Sequence, residues 1–202
     1  MVATAEREET GLVLRVEEKG ERFRSLAFFS RSQGLFHPLW RKSRRSPGTD
    51  LFDTIRARFQ AGKQGGVRFF SDYELLARRD GIGKGYDRLR CASRFAEILR
   101  RNARHVSDPV SVFELAETFF DAVNRGVGLP VSYLKALYAL ARNEGFPVRE
   151  DWAAGLEAAR KDALGQILRN PLDRQNTTAQ GAEELARSLE RWLVAAADFF
   201  VD

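Results

Sequence analysis

The hydrophobic periodicity of the chain changes once, near Asp80, and this change limits the fold more than any other feature. Before Asp80, apolar and polar residues alternate in five short stretches, such as residues 10–16, and glycine-containing turns separate them. Such alternation is typical of half-buried strands. After Asp80, apolar residues recur every three or four positions, as in residues 86–99, which indicates amphipathic helices. The sequence therefore predicts two domains, residues 1–80 and residues 81–202.

The strand half favours a closed architecture. Five short strands in about 70 residues, with no helical stretch among them, suit a small β-barrel, because closure leaves no exposed strand edge. Pro38 lies inside the third strand candidate, residues 35–41, and its missing N–H predicts an edge position or a bulge there. Residues 81–202 predict an all-α bundle. The predicted fold class is α+β, with the strands first and the helices second.

Basic residues are concentrated in one segment of the strand half. Residues 22–80 contain 13 lysines and arginines against 5 acidic residues, whereas residues 81–202 contain 17 of each kind. A local excess of this sort is typical of a protein that binds a polyanion such as a nucleic acid. A basic surface that only keeps the protein soluble gives the same pattern, so both interpretations stay open.

Several function classes lose support from residue types alone. Cys91 is the single cysteine, which excludes a disulfide framework and a multi-cysteine zinc site. His37 and His105 do not have the spacing of metal ligands, and the sequence suggests no serine–histidine–aspartate set or carboxylate pair. We therefore expect neither an enzyme nor a metal or other cofactor.

The sequence also gives an expectation about membranes. Apolar runs stay below the roughly 18 residues that a membrane-spanning helix needs. The first residues lack the basic flank and the apolar core of a secretory signal. We expect a cytoplasmic protein without membrane contact.

The strongest candidate binding segment is the run Trp40-Arg41-Lys42-Ser43-Arg44-Arg45, where a strand is expected to enter a loop. Guanidinium groups on a loop can reach phosphates, and an exposed tryptophan can stack on a base. Outward-facing arginines on neighbouring strands would extend this track. The candidate DNA-binding residues are Arg24, Trp40, Arg41, Lys42, Arg44, Arg45, Arg56, Arg58 and Arg68. In the alternative interpretation, the segment is a charged hairpin loop and Trp40 belongs to the core.

The helical half offers a candidate protein-binding surface. One predicted helix carries more aromatic and aliphatic residues than a single inward face needs, and a nearby arginine is suited to receive a carboxylate. The candidate partner-binding residues are Tyr133, Leu134, Leu137, Tyr138 and Arg142. They form a peptide groove in this interpretation, whereas in the alternative they pack in the core.

The order of several motifs resembles the opening of RecO-type DNA repair and recombination proteins. Residues 10–15 read Thr-Gly-Leu-Val-Leu-Arg, residues 20–21 read Gly-Glu, and residues 26–31 read Leu-Ala-Phe-Phe-Ser-Arg before Gly34. The family begins with a Val-Leu-Arg strand, a Gly-Glu turn, and a strand that ends in Phe-Thr or Phe-Ser before a glycine. The resemblance therefore lies in the succession of these motifs.

Later segments extend the resemblance over most of the chain. Residues 41–44 read Arg-Lys-Ser-Arg where the family usually has Lys-Gly-x-Arg, so the basic character is kept while Lys42 replaces the glycine. Residues 133–147 are similar to the family's helix that ends in Leu-Gly-x-x-Pro. Some members carry a four-cysteine zinc element after that helix, which the single cysteine of this chain excludes.

The resemblance implies an N-terminal five-stranded OB-fold and a C-terminal helical domain. It implies binding of single- and double-stranded DNA, annealing of complementary strands, and help in loading a RecA-type recombinase. The implied partners are a RecR-type protein and the acidic C-terminal tail of the single-strand-binding protein, which docks on an apolar, partly basic pocket of the helical domain. An OB-fold protein-interaction scaffold that does not bind DNA remains the alternative.

Overall fold

The computed structural model describes residues 7–42, 48–61, 68–102, 106–197 and 199–201. Within these residues the strands are β1 (Arg7–Lys19), β2 (Phe23–Ser30), β3 (Gly34–Phe36), β4 (Leu39–Arg41), β5 (Thr54–Ala61) and β6 (Arg68–Ala77). The α-helices are α1 (Tyr86–Asn102), α2 (Pro109–Arg125), α3 (Leu129–Asn143), α4 (Ala158–Arg169) and α5 (Ala179–Ala197). Strands therefore precede helices along the chain, which confirms the general form of the predicted fold.

The chain divides into two compact units. The first comprises Met1–Arg79 and Ala103–Phe113, and the second comprises Asp80–Asn102 and Glu114–Asp202. The sheet belongs to the first unit, here termed the strand unit, and most of the helical residues belong to the second, termed the helical unit. No helix in the described ranges is both long enough and apolar enough to cross a bilayer.

Five strands of the sheet pair in a ring. The order is β1-β5-β6-β4-β2, and β1 also pairs with β2, which closes the circle. β3 pairs with β2 outside this ring. The β4–β6 pair is parallel, while the other pairs described are antiparallel. The long first strand makes two partners possible, because a register shift between Val13 and Arg15 bends it between β5 and β2.

The third predicted strand is interrupted at its proline. His37 and Pro38 separate β3 from β4, and each short strand continues the pairing with β2. The carbonyl of Pro38 still accepts a hydrogen bond from the Leu26 N–H at 3.1 Å, so the chain stays beside β2 across the break. The interruption follows from the chemistry of proline, which has no N–H for a ladder hydrogen bond.

The strand unit has an aromatic core inside the ring. Its buried residues include Val13, Leu26, Phe28, Trp40, Ile55, Phe59 and Phe70. Phe28 and Phe59 pack with ring centres 5.4 Å apart, and Phe59 lies 5.7 Å from Phe70. Gly11 admits Phe28 against the backbone of β1, because a Cβ at that position would lie 2.7 Å from Cε1 of Phe28. These contacts hold the outward-facing residues of the strands at fixed positions.

The helical unit is built around α3. Nearly every apolar residue of this helix is buried, including Leu134 and Leu137, because α3 packs against α1 and α5. A second group of rings joins α1 to α2, where Phe95 lies 4.3 Å from Phe119 between ring centres. α3 is therefore the central helix of this unit, and it fixes the positions of α1 and α5.

Candidate nucleic-acid and partner-binding sites

Two of the predicted DNA-binding residues meet at one carboxylate on the strand unit. Nε of Arg24 on β2 donates to Oε1 of Glu18 on β1 at 2.9 Å. Nζ of Lys42 contacts Oε2 of the same carboxylate and donates to the carbonyl of Gly20 at 3.2 Å. Arg41 is exposed on the neighbouring strand β4, opposite Phe23 of β2. Arg24 lies opposite Trp40, so strand alternation turns Arg41 to the other face of the β2–β4 pair. We term Glu18, Arg24 and Lys42 the Glu18 cluster.

The Glu18 cluster carries more positive than negative charge. Its hydrogen bond from Lys42 and the nearby Arg24 lower the pKa of Glu18, so the carboxylate is ionised at neutral pH. Two cations, Arg24 and Lys42, then share this one carboxylate. The chain returns to this corner at Gly48, where an added Cβ would lie 3.8 Å from Nη1 of Arg24. Arg44 and Arg45, also predicted to bind DNA, lie outside the described residues.

Arg56 and Arg58 on β5 lie in a second group, in which acidic residues outnumber them. Both guanidinium groups approach Glu8 of β1, at 3.6 and 3.4 Å respectively. Arg56 also pairs with Glu74 of β6 at 2.8 Å, and Arg58 lies opposite Asp72 in the strand register. We term these five residues the Glu8 ladder. Its two arginines are matched by three carboxylates, so it gives an incoming polyanion little net attraction.

The structure does not gather the predicted DNA-binding residues into one cluster. Glu8 and Glu18 are ten residues apart on β1, which corresponds to roughly 30 Å along a strand. Arg68 occupies a third place, with its guanidinium 4.3 Å from the ring centre of Phe36. Of the two charged groups defined here, the Glu18 cluster has more cations than carboxylates and the Glu8 ladder has fewer.

Trp40 is placed in the core rather than on the surface. Only 7% of the residue is exposed. Its ring centre lies 5.4 Å from that of Phe70 and 6.0 Å from that of Tyr73. A base cannot stack on an indole ring that other side chains already cover. Trp40 is therefore a core residue, as the alternative interpretation holds, and we leave it out of the candidate interface.

The predicted partner-binding residues of α3 are largely buried. Leu134 and Leu137 are fully covered, and Tyr133 and Tyr138 are nearly so. Arg142 is exposed near the end of the helix. The four apolar and aromatic residues therefore pack in the interior of the helical unit, as the alternative interpretation holds, and do not themselves form an open groove.

The helical unit contains a pocket that the sequence did not reveal. It lies among α1, α3 and α5 and has a volume of about 370 Å³. Cys91, Leu129 and Tyr133 contribute apolar lining, and three arginines line it as well: Arg90, Arg94 and Arg187. This volume is within the range of small-ligand and side-chain binding pockets. Of the predicted partner-binding residues, Tyr133 lines this pocket.

A buried polar network forms one wall of this pocket. The hydroxyl of Tyr133 donates to Oε1 of Glu190 at 2.5 Å, and Nη2 of Arg94 donates to Oε2 at 2.8 Å. The Glu190 side chain is only 7% exposed, so both donors are needed to offset the loss of water. Burial and the nearby Glu190 raise the pKa of Tyr133, which keeps the phenol protonated as a donor. The network fixes Arg94 at the pocket wall.

Cys91 contributes a thiol to the pocket lining. Burial raises the pKa of the Cys91 thiol to about 12, so it lines the pocket as a neutral thiol. The described ranges of the chain contain no group of three or more histidine, cysteine, aspartate or glutamate side chains placed to hold a metal ion. Asp87, Glu183 and Glu190 also line the pocket and pair with Arg90, Arg187 and Arg94 respectively. The pocket therefore offers a ligand shape, apolar contact and guanidinium groups that already have carboxylate partners.

Comparison with known proteins assigns no family to this chain. No family model and no curated protein matches it. The proposals below therefore depend on the geometry of the described residues and on the resemblance of the sequence motifs.

Proposed function

We propose that the strand unit binds single- and double-stranded DNA and that the protein is a recombination and repair mediator of the RecO type. In this proposal it anneals complementary strands and helps to load a RecA-type recombinase. The observation that carries the proposal is the Glu18 cluster, where Arg24 of β2 and Lys42, directly after β4, share a single carboxylate. Phosphate contacts need positive charge at fixed positions, and this cluster supplies it.

The pairing of the strands supports an OB-fold for this unit. A five-stranded ring in which β1 pairs with both β2 and β5 fits a small Greek-key barrel of that type. The broken third strand and the parallel β4–β6 pair are compatible with its connectivity. OB-folds commonly bind oligonucleotides on one face of the barrel and its flanking loops, and the Glu18 cluster is partly exposed to solvent near the end of β1 and directly after β4.

The proposed mechanism needs no catalytic residue. Cations that neutralise phosphates on two strands lower the repulsion between them, so that complementary bases meet more easily. The affinity derives mainly from the release of condensed counterions, and it therefore falls steeply with salt. Backbone contacts carry no base information, so sequence preference is slight.

For the helical unit, we propose that the α1–α3–α5 pocket receives the acidic C-terminal tail of a single-strand-binding protein. The support is the combination of an apolar lining at Leu129 and Tyr133 with the guanidinium groups of Arg90, Arg94 and Arg187. An apolar side chain fits the lining, and carboxylates of the tail replace Asp87 and Glu183 as partners of Arg90 and Arg187, whose present ion pairs are exposed. A RecR-type protein completes the set of proposed partners, and we assign it no surface.

The second candidate function is a protein-interaction scaffold that does not bind DNA. The Glu8 ladder favours it, because its arginines are matched by carboxylates and such alternating charge suits a protein surface better than a phosphate chain. The two functions differ in one observable property, which is the affinity for a polyanion at low salt.

A salt-titrated binding measurement tests the proposed function. Labelled single- and double-stranded oligonucleotides are titrated with the full chain, and fluorescence anisotropy is recorded at several salt concentrations. The proposal predicts a Kd of about 1 µM or tighter at moderate salt, with log Kd rising linearly with log salt. Absence of binding even at low salt would favour the scaffold. Annealing of complementary labelled strands, followed by energy transfer, tests the mediator step separately.

A peptide-binding measurement tests the proposed partner site. A labelled acidic peptide with an apolar C-terminal residue is titrated against the wild-type chain and against the R90A/R187A variant. Arg90 and Arg187 make exposed ion pairs, so their removal leaves the fold intact. We expect the R90A/R187A variant to lose at least tenfold in peptide affinity. R142A removes the predicted partner-binding arginine near the end of α3, outside the pocket; it serves as the control and leaves the affinity unchanged. The reverse pattern would move the site to Arg142.

A further inference from the structure

The carboxylate of Glu18 is held as an oxyanion ligand would be held. It accepts from Nε of Arg24 through one oxygen and contacts Nζ of Lys42 through the other. A phosphate presents its oxygens to arginine and lysine in a similar way, through charge-assisted hydrogen bonds. We infer that Arg24 and Lys42 form a phosphate subsite which Glu18 occupies until a nucleic-acid phosphate displaces it. This inference rests on the proposed function and identifies where the first phosphate binds.

Both cations are positioned by contacts that do not involve Glu18. Nζ of Lys42 also donates to the carbonyl of Gly20 at 3.2 Å, and its backbone N–H donates to the carbonyl of Arg22 at 2.9 Å. Arg24 lies within the β2–β4 pair, directly opposite Trp40. Lys42 therefore keeps an acceptor when the carboxylate leaves, and the strand pairing fixes the backbone from which the Arg24 side chain extends.

Glu18 itself can leave at little cost. Its side chain is 58% exposed, so rotation into solvent buries no charge and breaks no packing. Exposed ion pairs contribute little to stability because water solvates the separated charges almost as well. A nucleic acid carries condensed counterions along its phosphates. When one of its phosphodiesters replaces Glu18, some of these counterions are released, and their release favours binding. Exchange of the carboxylate for a phosphate is therefore favourable at this solvent-exposed end of β1.

The Glu8 ladder does not have the same property. Glu8 approaches its two arginines at 3.6 and 3.4 Å, and Arg56 keeps a shorter pair with Glu74 at 2.8 Å. If Glu8 is displaced, the remaining carboxylates still compensate the arginines. Of Glu8 and Glu18, the displaceable carboxylate is therefore Glu18, near the C-terminal end of β1.

The adjacent residue Glu17 provides a matched control. It pairs with Arg15 of the same strand at 2.7 Å, and its side chain is 48% exposed. Successive residues of a strand point to opposite sides, so Glu17 is close in sequence to Glu18 and similar in charge but separate from Arg24 and Lys42. Replacing either glutamate by glutamine removes one negative charge from the same strand.

The closing experiment compares E18Q and E17Q in the oligonucleotide titration. The subsite predicts that E18Q binds about threefold more tightly than the wild-type chain, because the competing anion is gone. E17Q has a smaller effect. In the R24Q/K42Q background, E18Q brings no gain, since the cations that it would free are absent. Equal gains for E18Q and E17Q, or a gain that persists without Arg24 and Lys42, would overturn the subsite and leave only a general charge effect.

A titration with inorganic phosphate separates this inference from the proposed function. The NMR signal of the Arg24 Nε–H group is followed in the wild-type and E18Q chains. The subsite predicts a saturable shift in E18Q at phosphate concentrations that leave the wild-type signal nearly unmoved. If wild-type protein fails to bind oligonucleotides but this shift occurs, the proposed function falls and the subsite stands. If oligonucleotides bind and Arg24 does not respond in E18Q, the subsite falls alone.

Discussion

Arg24 of β2 donates through Nε to the carboxylate of Glu18 on β1 at 2.9 Å, across the strand pair at the far end of β1. Lys42 approaches the same carboxylate from the end of β4, so three strands of the ring contribute to one charged site. An exposed carboxylate that is shared by two cations leaves them partly uncompensated. This relationship connects the pairing of the strands with the proposed binding of nucleic acid.

Trp40 is expected to act in stability and not in base stacking. W40A removes a core side chain packed on Phe70 and Tyr73, and we expect a loss of about 3–5 kcal/mol in the free energy of unfolding. W40F keeps most of the apolar contact, so it costs less and leaves DNA affinity unchanged. Urea unfolding and anisotropy titration on the same samples check both points. A folded W40F chain with tenfold weaker DNA binding would show that the indole stacks on a base.

Gly11 is expected to tolerate no side chain. A Cβ at this position would lie 2.5 Å from the backbone oxygen of Phe29 and 2.7 Å from Cε1 of Phe28, so G11A forces the core apart. We expect a loss of about 1–3 kcal/mol in the free energy of unfolding. G83A serves as the control, because nothing lies within 4 Å of a Cβ there. Equal stability of the two variants by urea unfolding would contradict the close packing of β1 on Phe28.

The helical unit is expected to lose stability in acid partly through Glu97. Hydrogen bonds from Arg100 and Arg101 lower the pKa of this carboxyl from 4.5 to about 2. Its folded pKa is below its unfolded pKa, so the stabilisation is complete above pH 4.5 and is lost as the pH falls towards 2. E97Q should therefore be less stable than the wild-type chain at pH 7 and nearly equal to it at pH 2.

Urea unfolding followed by helical circular dichroism at several pH values measures this difference. Exposed helical ion pairs contribute little each, so we expect a gap of about 0.5–1 kcal/mol at pH 7. The comparison of E97Q with the wild-type chain cancels the titration of all other carboxyls. A gap that stays constant down to pH 2 would show that Glu97 acts through packing and not through its charge.

The buried carboxylate of Glu190 is expected to depend on both of its donors. Y133F removes the hydroxyl that lies 2.5 Å from Oε1 and should cost about 1–3 kcal/mol in the free energy of unfolding. R94A leaves the charge without its counterion and should cost more, about 3–5 kcal/mol. Y138F is the control, since Tyr138 contributes its ring to a contact with Trp152. An equally large loss in Y138F would show that the ring environment, not the hydroxyl, is responsible.

The coarse fold could be predicted from the sequence because it depends on local chemistry. The alternation of residues 10–16 and the three-to-four-residue period of residues 86–99 both reflect which face of an element is apolar, and the structure has a strand and a helix at these places. The break at Pro38 follows from one missing N–H. Such features need no knowledge of distant parts of the chain.

The charge pairing could not be predicted in the same way. Whether Glu18 meets Lys42, or Glu8 meets Arg58, depends on strand register across 24 or 50 residues. A register shift of one residue, such as the one between Val13 and Arg15, turns side chains to the other face of the sheet. Composition indicated an excess of cations, but the register decides which of them are compensated.

The pocket of the helical unit was missed for a related reason. Cys91, Tyr133 and Glu190 come from three helices and are about 40 to 100 residues apart in the sequence. The apolar positions of α3 predict a peptide groove when the sequence is considered alone, whereas the packing of α1 and α5 covers most of them. The hydrogen bond between Tyr133 and Glu190 joins residues that are 57 positions apart. The periodicity of a single sequence gives no information about such a distant pair.

The most direct test of the account is the salt dependence of single-stranded DNA binding in two charge-matched variants. R24Q/K42Q removes two cations from the Glu18 cluster, and R56Q/R58Q removes two from the Glu8 ladder. We predict that R24Q/K42Q binds at least tenfold more weakly and that its log–log salt slope is shallower by roughly 0.7, the value for one lost phosphate contact on a single strand. R56Q/R58Q should stay close to the wild-type chain. Equal effects in the two variants, or a larger effect in R56Q/R58Q, would contradict the proposal that nucleic acid binds at the Glu18 cluster.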